Sequence, residues 1–273
     1  MKSIRIGLGQ LLIEGGEPER NLNRAIELVE QAKQNNCNLI LLPECLDFGW
    51  THPSGIKNSK TIPGEFSDIL CDVASKNKIY ICAGLTEKDL KTNKNFNSAI
   101  LIDNEGIILG KYRKINVLEQ AFEFYDIGSK LEVIQTEIGK IGINICSDNY
   151  HDAIDIGFVL CRMGAEIILS PSSWTVDYNI TEEMDPYKNK WISQFLKLSK
   201  IFEIPVISTT SVGYIVGGPY EGKKMVGCSI ATDKNGLLTR GDFNEFASDL
   251  KIVDVDIKNN VIKGTQIGKK IYK

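Results

Sequence analysis

The chain alternates from end to end between short apolar runs and longer stretches with helical spacing. Ile4–Leu8 predicts a strand, and Asn21–Asn36 predicts a helix with Leu22, Ala25, Ile26, Val29 and Ala32 on one face and Asn21 as its N-cap. Asn38–Pro43 reads as a buried strand ended by proline, Phe66–Asn77 as a helix and Ile79–Leu85 as a strand. Ser98–Asp103 and Gly106–Tyr112 predict a hairpin around Asp103-Asn-Glu-Gly106. The second half continues with paired strands at Leu131–Thr136 and Lys140–Ile145, a helix at Tyr150–Met163 and a strand at Glu166–Leu169. A helix over Pro186–Phe202 and strands at Pro205–Thr209, Met225–Thr232, Leu237–Arg240 and Leu250–Ile257 complete the pattern. No Pro/Gly/Ser-rich linker interrupts it, so the expectation is one α/β domain over 1–258. A lysine-bearing tail over 259–273 reaches away from the core.

Composition narrows the class. The 273 residues are 42% hydrophobic and 25% charged, with 32 Lys+Arg against 35 Asp+Glu, a net charge of −3. That is globular composition without the basic excess that nucleic acid or an anionic membrane attracts. No apolar run approaches the roughly 20 residues of a membrane helix, and MKSIRIGLGQLL reads as a buried strand and not as a signal peptide. Seven cysteines are scattered without a CxxC pair, and the two histidines are His52 and His151. No zinc site is expected, and cytoplasmic, reduced thiols are.

Three chemically useful side chains follow predicted strands: Glu44 after Asn-Leu-Ile-Leu-Leu-Pro, Lys114 after Gly-Lys-Tyr-Arg, and Cys146 after Ile-Gly-Ile-Asn-Ile. The ends of strands are where open α/β sheets place ligands. A carboxylate, an ammonium and a thiol together supply a base, a positive charge for a developing oxyanion, and a nucleophile. Taken singly, each is more often a loop residue, a surface lysine or a packed thiol.

The segments LLPECLDFGW, GKYRKINV and IGINICSDNYHD, in this order and with their key residues 70 and 32 positions apart, resemble the three signature blocks of the nitrilase, or carbon–nitrogen hydrolase, superfamily. Phe96–Ala99, Ser170–Trp174 and Gly227–Ile230 resemble weaker landmarks of the same family. The resemblance implies a four-layer αββα sandwich that pairs into a homodimer or larger assembly. It implies no cofactor and no metal, and a catalytic triad of Glu44, Lys114 and Cys146. Its expected reaction is hydrolysis of a non-peptide C–N bond in a small amide or N-carbamoyl substrate through a cysteine thioester. Acyl transfer to an amine, or a silent binding protein on the same fold, are the alternatives. The family's accessory glutamate falls on Glu119, with Glu123 as the alternative, and Ser147 and Trp174 are further candidates for positioning the lysine or the substrate. Ser147 stands where relatives often carry an aromatic residue. For Asp148 and Asn149, capping is the expected role.

Overall fold

The computed structural model describes residues 2–184, 187–259 and 264–271, with residues 188 and 189 described by backbone alone. In the first half β1 (Lys2–Gln10) leads through α1 (Pro18–Gln34) to β2 (Leu39–Leu41), then to α2 (Pro53–Asn58) and α3 (Glu65–Asn77). A meander of β3 (Tyr80–Asp89), β4 (Lys94–Ile102) and β5 (Ile108–Arg113) closes that half. The second half runs β6 (Val133–Thr136), β7 (Gly139–Ile143), α4 (Asp155–Arg162), β8 (Ile167–Ser172) and β9 (Thr175–Val176). After α5 (Ser193–Phe202) come β10 (Val206–Thr210), β11 (Val212–Tyr214), β12 (Lys224–Val226) and β13 (Ile230–Asp233). The last strands are β14 (Gly236–Arg240) and β15 (Asp249–Ile257).

Two six-stranded sheets result, ordered β15-β1-β2-β3-β4-β5 and β14-β13-β10-β8-β7-β6, with β11-β12-β9 as a small third sheet. The centre of each large sheet is parallel and its flanks are antiparallel. Strand periodicity divides the first sheet between two cores. Ile4, Ile6, Leu8, Leu39, Leu41, Cys82 and Leu101 pack with Ile141, Ile143, Ile167 and Leu169 of the second sheet. The intervening Ile40, Leu42, Ile81, Ala83 and Ile100 pack instead with Leu22, Leu28 and Val29 of α1 and Phe66 and Leu70 of α3. Leu160 of α4 and Phe195 and Leu198 of α5 join the core of the second sheet. The order helices–sheet–sheet–helices is the αββα sandwich.

Several boundaries differ from the sequence expectation for identifiable reasons. Helix α1 starts at Pro18, whose missing N–H costs nothing in a first turn. Asn21 is therefore buried inside the helix, and its Nδ2 donates to the carbonyls of Glu14 and Asp47 at 2.8 Å each. Helix α4 starts five residues late because Cys146–Asn149 coils into a 3₁₀ turn and Tyr150 is extended. The expected strand Met225–Thr232 is split into β12 and β13 by Gly227 and Cys228 at φ +69° and +64°. Pro186, the expected start of the next helix, lies outside the described residues; a π-turn over Lys188–Ile192 leads into α5. The chain end does not simply reach away: Gly264–Ile267 and α6 (Gly268–Ile271) return, with Ile267 buried in the first core and Lys270 paired with Glu203. Among the described residues, no helix is long and apolar enough to cross a membrane.

Candidate active site

Glu44 follows β2 and is clamped between the sheets. Its N–H donates to the Ser172 carbonyl at the end of β8, at 3.3 Å, while Leu46 N–H donates to the Gly84 carbonyl of β3 at 2.9 Å. Gly84 makes this approach possible. A Cβ there would stand 2.5 Å from the Glu44 Cα and 2.7 Å from the Pro43 carbonyl oxygen.

Lys114 leaves β5 bound on both sides, its N–H donating to the Asn97 carbonyl and its carbonyl accepting from Gly128 N–H, each at 2.8 Å. A Cβ on Gly128 would lie 2.0 Å from the Arg113 carbonyl oxygen, so only glycine lets the returning chain pass. Inside the site, Lys114 Nζ donates to Glu44 Oε1 at 2.7 Å, and Asn97 Nδ2 donates to the same oxygen at 2.6 Å. The two charged side chains are 2% and 0% exposed. Burial alone would lower the lysine pKa, but Glu44, Cys146 and Asp148 outweigh it and hold the group above its ordinary value.

Cys146 opens the 3₁₀ turn after β7 with φ +47°, a left-handed conformation that a cysteine adopts only when its surroundings impose it. Those surroundings are polar and complete. Asn149 Nδ2 donates to the Cys146 carbonyl at 3.2 Å and to Ser170 Oγ at 2.8 Å, and Asn144 Nδ2 donates to Asn149 Oδ1 at 2.7 Å. Asp148 accepts from Ile145 N–H, Tyr112 O–H and Asn116 N–H at 2.8 Å each, tying the Lys114 loop to the cysteine turn. Burial raises the Asp148 pKa, opposed by Lys114 and these donors.

Cys146 is 6% exposed. Burial, and then the nearby Glu44 carboxylate, push its pKa up to about 12, against the opposing pull of Lys114 and the Ser173 N–H. At neutral pH this cysteine is therefore a thiol beside a carboxylate, and not a preformed thiolate. Glu44 Oε2 is buried without a well-formed hydrogen bond among the described residues, leaving that oxygen open to take the thiol's proton. Above Cys146, Lys114 and Ser173 a hollow of about 110 Å³ is walled by Trp50, Tyr150, Trp191 and Tyr220.

The structure thus brings Glu44, Lys114 and Cys146 together, keeps Ser147 beside them in the cysteine turn, and separates Glu119, Glu123 and Trp174 from them. Glu119 and Glu123 are both exposed, because Val117 and Ala121 take the buried positions of their loop. The buried carboxylate besides Glu44 that acts on Lys114 is Asp148, and it caps the cysteine turn itself, not α4. Ser147 is buried and bound to the loop after the lysine: its Oγ donates to the Asn116 carbonyl at 2.6 Å and its own carbonyl accepts from Asn116 Nδ2 at 2.7 Å. Trp174 does not reach the hollow. It lies fully buried behind the wall, stacked on Trp191 at 4.6 Å, while its neighbour Ser173 faces the site. His151 and Tyr178 are exposed, and His52 caps α2. Sequence reasoning had not assigned Asn97 a site role, although its type and place before the lysine block were visible. Among the described residues, no group of three or more His, Cys, Asp or Glu is placed to hold a metal ion.

The chain matches the carbon–nitrogen hydrolase family over residues 5–260 and belongs to that family. It is 32% identical over 167 residues to a protein named nitrilase from Pyrococcus abyssi, covering 59% of this chain and 62% of the relative. It is 29% identical over 191 residues to the omega-amidase NIT3 of Saccharomyces cerevisiae, covering 63% and 64%. The match therefore spans less than two thirds of either curated relative. In fold it resembles a carbon–nitrogen hydrolase from Helicobacter pylori G27, with a TM-score of 0.81 at 22% identity over 93% of this chain and 90% of that one.

Proposed function

We propose that this chain hydrolyses the C–N bond of a small amide or N-carbamoyl compound through a thioester on Cys146. The observation that carries the reading is the contact set at the seam of the two sheets: a neutral thiol beside a carboxylate whose partner is a buried ammonium. Glu44 takes the thiol proton as Sγ bonds to the substrate carbonyl carbon and the C=O electron pair moves onto oxygen. Lys114 and the backbone N–H of Ser147 stabilise that oxyanion. The tetrahedral adduct collapses as the C–N bond breaks, and Glu44 returns the proton to the departing nitrogen. Water, deprotonated by Glu44, then attacks the thioester, and the sulfur leaves and is reprotonated.

The reading extends to the setting. Seven cysteines with no disulfide among the described residues accord with a reducing, cytoplasmic compartment. Val159 and Met163, exposed on and beside α4 at 41% and 48%, offer apolar surface for a homodimer or larger homo-oligomer.

The test is ammonia or amine release from a panel of small amides, ureas and N-carbamoyl compounds, with Cys146→Ala as the blank. Turnover abolished by Cys146→Ala and accompanied by a trapped acyl adduct on Cys146 supports the reading. Turnover equal in the blank, or no turnover of any member of the panel, overturns it. Faster turnover in the presence of an added amine would replace hydrolysis by acyl transfer.

A further inference from the structure

Asn97 lies in β4 opposite Thr86 of β3, and it is fully buried. Its polar groups meet both charged members of the site. The backbone carbonyl accepts the Lys114 N–H at 2.8 Å, and Nδ2 donates at 2.6 Å to Glu44 Oε1, the oxygen that also receives Lys114 Nζ at 2.7 Å. Strand alternation turns the next residue, Ser98, to the opposite face. There the buried Glu87 accepts from Ser98 Oγ at 2.6 Å and from Arg113 Nε and Nη2 at 2.9 and 2.6 Å. Ser98 and Arg113 are register partners on β4 and β5, so this carboxylate pins the two strands one residue away from Asn97 and from Lys114.

Filling space does not account for this amide. Asn97 Oδ1 is buried without a hydrogen bond among the described residues, and the bond from Nδ2 goes to Glu44. An apolar side chain of the same size would occupy the position without burying an unpaired acceptor. Turning the amide over would not cure the defect, because Oδ1 would then face the Glu44 carboxylate. The strand tolerates a desolvated carbonyl and gains an N–H held on Oε1. With two donors on that oxygen, Oε2 is the one left for proton transfer, and it is buried without a well-formed hydrogen bond among the described residues.

We propose that Asn97 is a positioning residue for the reaction: by holding Oε1 jointly with Lys114, it fixes the rotation of the Glu44 carboxylate and reserves Oε2 for the Cys146 proton. The proposal rests on the hydrolytic reading above and assigns the division of labour inside that site. As the S–H bond breaks, the proton bonds to Oε2 and the sulfur electron pair goes to the substrate carbon. Oε1, then the carbonyl oxygen of a carboxylic acid, keeps both donors, so the same oxygen returns the proton to the departing nitrogen without a turn of the side chain.

The experiment uses the full-length protein with Asn97→Leu and with Asn97→Asp. It reads turnover of an amide from the panel between about pH 5.5 and 8.5, and the rate at which chloroacetamide alkylates Cys146, followed by mass spectrometry. Asn97→Leu should lower kcat at least about 30-fold with KM within about threefold, because the groups that meet the substrate are untouched. Removing a donor favours a protonated carboxylate, so the activity of this variant relative to wild type should rise with pH. Asn97→Asp keeps the shape of the side chain. Its protonated carboxyl donates to Oε1 and its ionised form repels that oxygen, so its relative activity should fall at least about tenfold across the same range. Cys45, Cys146, Tyr150 and Asp148, the other titratable groups that act on Glu44 or Lys114, are common to every variant. A residue that only supports the fold would lower both variants by a constant factor at every pH. Asn97→Leu with kcat within about threefold of wild type, or relative activities flat with pH in both variants, would overturn the positioning role and leave hydrolysis standing. Where Asn97→Leu does not fold, the slope of Asn97→Asp decides alone. Where no amide is turned over, hydrolysis falls and alkylation decides: Cys146 slowed at least about tenfold in the variants at about pH 8.5 supports the positioning role, and alkylation at the wild-type rate overturns it.

Discussion

Replacing Lys114 by methionine keeps the volume of the side chain and removes the positive half of a buried pair. The wild-type ammonium sits 2.7 Å from Glu44 Oε1, and neither side chain is more than 2% exposed. In the variant, Glu44 keeps the 2.6 Å hydrogen bond from Asn97 but loses its counter-charge. Stripping a buried pair of one partner costs about 3–5 kcal/mol, against a typical domain stability of about 5–15 kcal/mol. Removing both charges with Glu44→Gln and Lys114→Met leaves no orphaned charge, so the double variant should regain at least about 2 kcal/mol over Lys114→Met alone. Urea denaturation of the wild type, both single variants and the double variant at one pH closes the cycle. Ammonia release should fall at least about 100-fold in Lys114→Met and stay low in the double variant, which separates the stability role of the pair from its catalytic role. A Lys114→Met protein within about 1 kcal/mol of wild type, or a double variant no more stable than that single, would refute the buried-pair reasoning.

Because burial holds the Cys146 pKa up at about 12, thiolate absorbance near 240 nm should not differ between the wild type and Cys146→Ala at pH 8; a difference of one thiolate there would contradict the neutral resting thiol. Asp47 is buried, and this raises its pKa from 3.8 to about 6 despite donors from Thr86 and Phe48. Its folded form binds the proton more tightly than its unfolded form, so its share of stability is complete below pH 4 and is lost as pH rises through 6. That share is about 3 kcal/mol, and Asp47→Asn should flatten this part of a pH–denaturation profile; an unchanged slope would count against it. Gly84→Ala places a methyl group 2.5 Å from the Glu44 Cα, so it should cost about 1–3 kcal/mol and lower kcat/KM at least about tenfold. Gly55→Ala, whose nearest neighbour would be at 3.5 Å, is the control expected to match wild type in both thermal melting and turnover.

The large sheets were legible because each strand carries its own pattern. Period-two apolar runs such as Ile4–Leu8 and Ile79–Leu85 look the same whichever core they face. The grouping of Glu44, Lys114 and Cys146 was legible because each follows a strand, and the three blocks stand in one order. What the pattern did not carry was decided by tertiary contacts. Asn97 sits within a strand, and only the fold reveals that its amide meets Glu44 Oε1. Glu119 has the right type and position for an accessory carboxylate, yet the apolar neighbours on its turn face inward and leave it in solvent, while Asp148 supplies buried negative charge near Lys114. Trp174 has the pocket-lining composition, but its ring fills the space behind Trp191.

The location of the site follows from the energetics of its parts. A buried ion pair, a buried thiol beside it and a left-handed Cys146 each cost stability, and none of them could persist on a loop free to relax. Here the costs fall where the two sheets pack against each other. Glu44 hangs from the first sheet with its N–H bonded to β8 of the second, and Lys114 is fixed through Asn97 of β4 and through the Asn116–Asp148 tie to the cysteine turn. Relaxing any one member would pull on both sheets. That coupling holds carboxylate, ammonium and thiol side by side in advance, so under the hydrolysis proposed above the charge developing on a carbonyl oxygen would meet a partner already in place instead of one that must be recruited.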